Sequence, residues 1–138
     1  DSTLGVGLMK DAADYLTRIK ALIVANLKVV RWSVIREEAQ GKMGLFRCRL
    51  TLCDGSLLEI FELFQVEEQV QVIKYSFHWQ NPDGRLRKRW DNAAHHPEVS
   101  NAPFHVHYGE ETNVAPYKPV NAEEVLAIIT AEITNQEA

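Results

Sequence analysis

Apolar and polar positions follow two rhythms along this chain. Residues 11–26, DAADYLTRIKALIVAN, put Ala12, Tyr15, Leu16, Ile19, Leu22 and Ile23 on one stripe at helical spacing. Asp11 suits the N-cap, and Asp14 lies in the first turn, where the dipole favours an acid. A helix is expected there. From Lys28 the period drops to two. KVVRWSVIREE alternates Val30, Trp32 and Val34 with Arg31, Ser33 and Ile35, as a half-buried strand would. LFRCRLTLC sets Phe46, Cys48, Leu50 and Leu52 against Arg47, Arg49 and Thr51. Asp54-Gly55 then signals a two-residue hairpin into LLEIFELF, residues 57–64. That register opposes Cys53 to Ser56 and Arg47 to Glu62, a cross-strand pair of opposite charge.

A second hairpin is expected where VQVIKYSFHWQ and RLRKRW flank Asn81-Pro82-Asp83-Gly84. Its simplest register sets Gln80 against Arg85, His78 against Arg87 and Ser76 against Arg89. One face then carries Tyr75, Phe77, Trp79, Leu86 and Trp90 for the core. The other carries Lys74, Ser76, His78, Arg85, Arg87, Arg89 and Asp91, a polar face fit for a functional surface. Residues 92–120 hold four prolines and one short extended piece, FHVHY. Asn121 then caps a last helix, with Glu124 at the capping-box position and Val125, Ile128, Ile129 and Ile133 as its stripe.

The expected architecture is α+β: an antiparallel meander of about five strands, with an N-terminal and a C-terminal helix on its apolar face. Residues 1–10 read as a tail. Residues 11–134 read as one domain with a histidine-rich loop at 92–120. DSTLGVGL lacks the basic flank and long apolar core of a secretory leader, and Met9 is a candidate start. No apolar run is long enough to span a bilayer, so no membrane partner is expected.

With 46% hydrophobic and 25% charged residues, the composition is that of a globular domain rather than a disordered chain. Cys48 and Cys53 are an odd number of positions apart in one apparent strand and should face opposite ways. Two such thiols form no disulfide framework, and a reducing cytoplasm fits them. The net charge of −4 is unevenly spread. RLRKR at 85–89 concentrates cations, while residues 123–138 carry only acids, so a local basic patch could meet phosphate on an acidic protein.

The candidate chemistry lies in RWDNAAHHPEVSNAPFHVHYG, residues 89–109, which holds four of the five histidines; His78 is the fifth. His105 and His107 share one side of an extended segment. His95 and His96 precede Pro97, which biases His96 towards extended geometry. An acid–base site needs one neutral and one charged imidazole plus a cation for developing phosphate charge. His78, His95, His96, His105 and His107 beside Arg87 and Arg89 meet that need, with Asp91 to fix a tautomer. Lys74, Arg85, Asn92, Arg47 and Arg49 are the candidate substrate contacts. RNA cleavage without a metal cofactor is a reaction with these requirements.

The alternative is a divalent metal such as zinc, held by His95, His96, His105 and His107, with Glu110 or Glu111 in support. HVHYGEE resembles part of the cupin metal motif. However, Val99 stands where that motif has glycine, and no second cupin motif follows. A third reading keeps the histidines as loop fasteners or a non-catalytic binding surface.

RLTLCDGS, YSFHWQNPDGRLRKRWDNAAHHP, APFHVH and the terminal VNAEEVLAII together resemble TumE-like proteins, the toxin halves of prokaryotic toxin–antitoxin pairs. The resemblance runs from about residue 14 to residue 133. It implies a cytoplasmic toxin neutralised by a cognate antitoxin, with RNA as the target and endoribonuclease as the candidate enzyme class. A homodimer is compatible with it. The matching positions are His78, Arg89, Asp91, Asn92, His95, His96, His105 and His107, with Glu62 a weaker match. Ala94 stands where the family pattern has proline, and FHVH replaces a more histidine-rich run. The role split expected is His96 or His105 as base and acid, Arg87 and Arg89 as phosphate clamps, and Asp91 as orienter.

Overall fold

A computed structural model describes residues 9–94 and 96–137. Among these the chain forms helix α1 (Ala12–Ala25), strands β1 (Val29–Gln40), β2 (Met43–Leu52), β3 (Leu57–Val66), β4 (Val70–Gln80), β5 (Leu86–Asp91), β6 (His105–Tyr108) and β7 (Glu110–Pro116), and helix α2 (Ala122–Glu137). The strands make one antiparallel meander in chain order, β1 to β7. The α+β reading with two terminal helices holds, but the sheet has seven strands rather than five. The proline-rich stretch after residue 92 supplies the extra pair, because Gly109 at a φ of +76° lets the chain fold β7 back on β6.

Both helix starts are built as the sequence suggests. Asp11 accepts from the Asp14 amide at 3.0 Å, and Asn121 and Glu124 bond each other's amides reciprocally. Tyr15, Leu16, Ile19 and Ile23 of α1 and Val125, Leu126, Ile129 and Ile133 of α2 are buried against alternate residues of the sheet. Phe46, Leu50, Ile60, Phe77, Trp79 and Trp90 answer from the sheet. Each such apolar side chain contributes roughly 1.5–3 kcal/mol by burial. Cys48 is buried and Cys53 exposed, both as free thiols.

Three expectations about the strands fail for definable reasons. The first hairpin has a three-residue loop, Cys53-Asp54-Gly55. The Gly55 amide bonds Leu52 O, Leu52 N bonds Ser56 O, and Gly55 takes a φ of +85°. Arg47 therefore opposes Phe61, and Arg49 opposes Glu59. Glu62 opposes Phe46 and turns into the core. The second hairpin repeats the device with Pro82-Asp83-Gly84, and an irregularity beside Arg87 adds a further slip. His78 consequently opposes Arg89 rather than Arg87, and Ser76 opposes Asp91. Third, β1 is an edge strand whose Val30, Val34 and Ile35 are exposed. Two register irregularities break its pairing with β2, a common way to blunt an edge.

Glu62 joins the two helices to the sheet. It is fully buried, and its two oxygens accept from the Tyr15 hydroxyl and the Ala122 amide, each at 2.7 Å. Ala122 opens α2, so this carboxylate satisfies a donor the helix cannot satisfy itself. Burial pushes the Glu62 carboxyl up to about 7 from 4.5, against the pull of those two bonds. Between these values the folded chain keeps a proton that the unfolded chain has lost. Stability from this group therefore falls as pH rises through that window, by on the order of 3 kcal/mol in all. Glu62→Gln stays neutral and removes that slope. Urea midpoints measured near pH 4.5 and above pH 7 should fall further for the wild type than for this variant; parallel falls would contradict the assignment.

Candidate active site

The face of the sheet away from the helices carries two polar rows that cross the strands. Register aligns Arg49, Glu59, His78, Arg89 and His107 in one row, and Arg47, Phe61, Ser76, Asp91 and His105 in the other. Between them lies an open groove of about 660 Å³, whose lining includes Arg47, Phe61, Lys74, His78, Arg89 and Asp91. At the β6 end, the segment after Asp91 folds over the rows and brings His96 onto them.

Beneath that cover Asp91, His105 and His107 are at most 6% exposed. Asp91 Oδ2 accepts from Arg89 Nε at 3.1 Å, and Oδ1 accepts from the Ala93 amide at 3.0 Å. His105 Nδ1 donates to Pro103 O at 2.7 Å. Its Nε2 lies 2.8 Å from Asp91 Oδ1. His107 Nδ1 donates to Glu111 O at 2.8 Å, leaving Nε2 to accept from Arg89 Nη2 at 3.4 Å. Arg89 also reaches the Glu111 carboxylate at 2.7 Å. The rings of His96, His105 and His107 stand edge to face, with centroids 4.8–5.2 Å apart. His96 Nδ1 lies 3.1 Å from Glu98 Oε2.

A family model described as Toxin TumE matches residues 19–137. The chain belongs to the TumE toxin family. No curated protein and no solved structure matched it.

Of the positions expected in the site of this TumE-family chain, Arg89, Asp91, His96, His105 and His107 come together. His78 stands beside Arg89 on β4 and lines the groove, as do Lys74, Arg47 and Arg49. His95 lies outside the described residues. Arg87 is elsewhere. The irregularity that follows Trp79 turns Arg87 over the Trp79 ring, 4.8 Å from its centroid, where it pairs with Asp54 at 2.8 Å and bonds Asn81. Arg85 is exposed at the hairpin beside Asp83. Asn92 fastens the start of β4, accepting from the Tyr75 amide and donating to Ile73 O. Glu59 and Phe61 were missed as groove residues; their alternation against buried Leu58 and Ile60 is the signal that places them there.

The three imidazoles offer nitrogens within 4.8 Å of one another. Tetrahedral zinc at 2.0–2.1 Å needs its donors roughly 3.3 Å apart. Here His105 Nε2 faces Asp91 and His107 Nε2 faces the Arg89 guanidinium, so holding a metal requires Arg89 to withdraw. The donor set fits zinc by type, and His96, His105 and His107 would hold it.

The His107 imidazole is held below its ordinary value by burial first and by the Arg89 charge second, while its bond to Glu111 O pulls the other way. In an NMR titration, His107 should titrate below a free imidazole, and Arg89→Gln should move it upward. An unchanged His107 in that variant would show that the guanidinium does not act on it.

Proposed function

We propose that this toxin acts on RNA and cleaves it by acid–base chemistry that needs no metal cofactor. The observation that supports this reading is a fixed guanidinium with one solvent-reached imidazole across from it and a second stacked on the histidine it touches. Arg89 is held by Asp91 and Glu111 with its side chain 22% exposed. His78 stands across from it on β4, and His96 lies over β6, with its side chain 25% exposed.

In this reading Arg89 binds a phosphate oxygen and offsets the charge that builds on it. One of His78 and His96 takes the proton of the 2′-hydroxyl, whose oxygen attacks phosphorus. The other gives a proton to the 5′ oxygen as its bond to phosphorus breaks. The products are a 2′,3′-cyclic phosphate and a 5′-hydroxyl. His105 and His107 are too buried to touch substrate, so with Asp91 they are positioning residues for Arg89 and His96. Arg87, paired with Asp54 over the Trp79 ring, has no part in it. A cognate antitoxin is the partner such a toxin implies, and the cytoplasm is where both would be met.

A metal-dependent hydrolase is the second reading. It draws on the Nδ1 bonds of His105 and His107 to backbone carbonyls, which aim Nε2 inward as metal-ligating histidines do. Cleavage of labelled cellular RNA by the purified protein, with and without excess chelator, separates the two. Chelator-resistant cleavage that falls roughly 100-fold or more in folded His96→Ala and Arg89→Ala is expected. Loss of cleavage to chelator, with zinc present in equal amount to protein, would favour the metal reading. No cleavage in any arm would reject RNA cleavage as the activity.

A further inference from the structure

We infer that the groove is a track for single-stranded RNA, in which Arg47 and Arg49 hold the backbone a few nucleotides from the scissile phosphate and Phe61 with Arg47 carries an unstacked base. The inference rests on RNA being the substrate of the site above.

The two polar rows fix the layout. Arg47 and Arg49 on β2 lie four strand spacings from His105 and His107 on β6, roughly 19 Å away. Four cations, Arg47, Arg49, Lys74 and Arg89, line the groove against two carboxylates, Glu59 and Asp91. Glu59 accepts from Arg47 at 2.6 Å and from Arg49 at 2.9 Å, so one carboxylate aims two guanidinium groups side by side. This leaves excess positive charge at the β2 end of the groove on a chain whose net charge is −4, whereas Arg89 at the other end is paired with Asp91 and Glu111.

The middle of the track is aromatic. Phe61 is half-buried on the face away from the helices and lines the groove, while Leu58 and Ile60 of the same strand supply the core. Arg47 lies over that ring, 4.6 Å from its centroid. A guanidinium stacked on an aromatic face is a platform that a further base can extend, and only an unpaired base offers its face to it. The rows are also roughly 7 Å apart, two residues along a strand, which suits one backbone rather than two. Charge favours phosphate, and the stack favours a single strand over a duplex.

The test separates binding from cleavage by using fluorescent 2′-O-methyl RNA, which lacks the free 2′-hydroxyl. Single-stranded and blunt duplex forms are titrated against wild-type protein, Arg47→Ala/Arg49→Ala and Phe61→Leu, with Arg18→Ala on the helix face as control. The expected result is binding of the single strand at least tenfold tighter than the duplex. The double variant should bind at least tenfold more weakly, and its salt dependence should flatten by about 0.7 for each phosphate no longer neutralised. Phe61→Leu should lose roughly fivefold or more. Equal binding of duplex and strand, wild-type affinity in both groove variants, or no binding at all would overturn the track. Single-strand binding through the groove without cleavage of ordinary RNA would uphold the track and reject the chemistry. Cleavage with the groove variants unimpaired would do the reverse.

Discussion

The Asp91 carboxylate is the constraint on which the site depends. A buried charge is costly unless it is paired and hydrogen-bonded. Asp91 meets that condition through the Arg89 guanidinium and the Ala93 amide, with the His105 imidazole 2.8 Å away. Each partner comes from a different piece of chain: β5 itself, the segment that follows it, and β6. Satisfying one carboxylate therefore docks the sixth strand, turns the chain over the sheet and delivers His96 to the same spot. Arg89 is thereby fixed where it faces both the groove and the histidines.

A second buried carboxylate acts on the opposite face. Glu62 ties α1 through Tyr15 and α2 through the Ala122 amide, so both helices meet the sheet at one polar point within an apolar layer. The two carboxylates divide the work of the fold. Glu62 sets where the helices sit, and Asp91 sets where the cationic and imidazole groups converge. The sheet between them is a plain meander, and its period-two alternation keeps the two chemistries apart.

That alternation is why most of the fold was legible before the structure. The stripes of both helices, their caps and the core faces of β2 to β5 follow from spacing alone. The registers did not, because Gly55 and Gly84 each close a three-residue loop where a two-residue turn and a four-residue reversal were the simpler readings, and one residue of slip changes every partner. Glu62 was misplaced for that reason, and Arg87 because a local irregularity turned it over Trp79. In the site, the shared side of His105 and His107 was legible from strand geometry. Their burial was not, since it depends on the chain after Asp91 folding over them, which no local pattern records. β7 carries few of the apolar alternations that mark a strand, with only Val114 and Ala115 part-buried in EETNVAP, so it was read as loop.

The most direct test of the chemistry is the identity of the new ends when the purified protein cuts RNA. Attack by the 2′-hydroxyl under histidine acid–base control leaves a 2′,3′-cyclic phosphate on one fragment and a 5′-hydroxyl on the other, and those ends are the predicted result. A 5′-phosphate with a 3′-hydroxyl would mean that water was the nucleophile, contradicting the assignment of His78, His96 and Arg89.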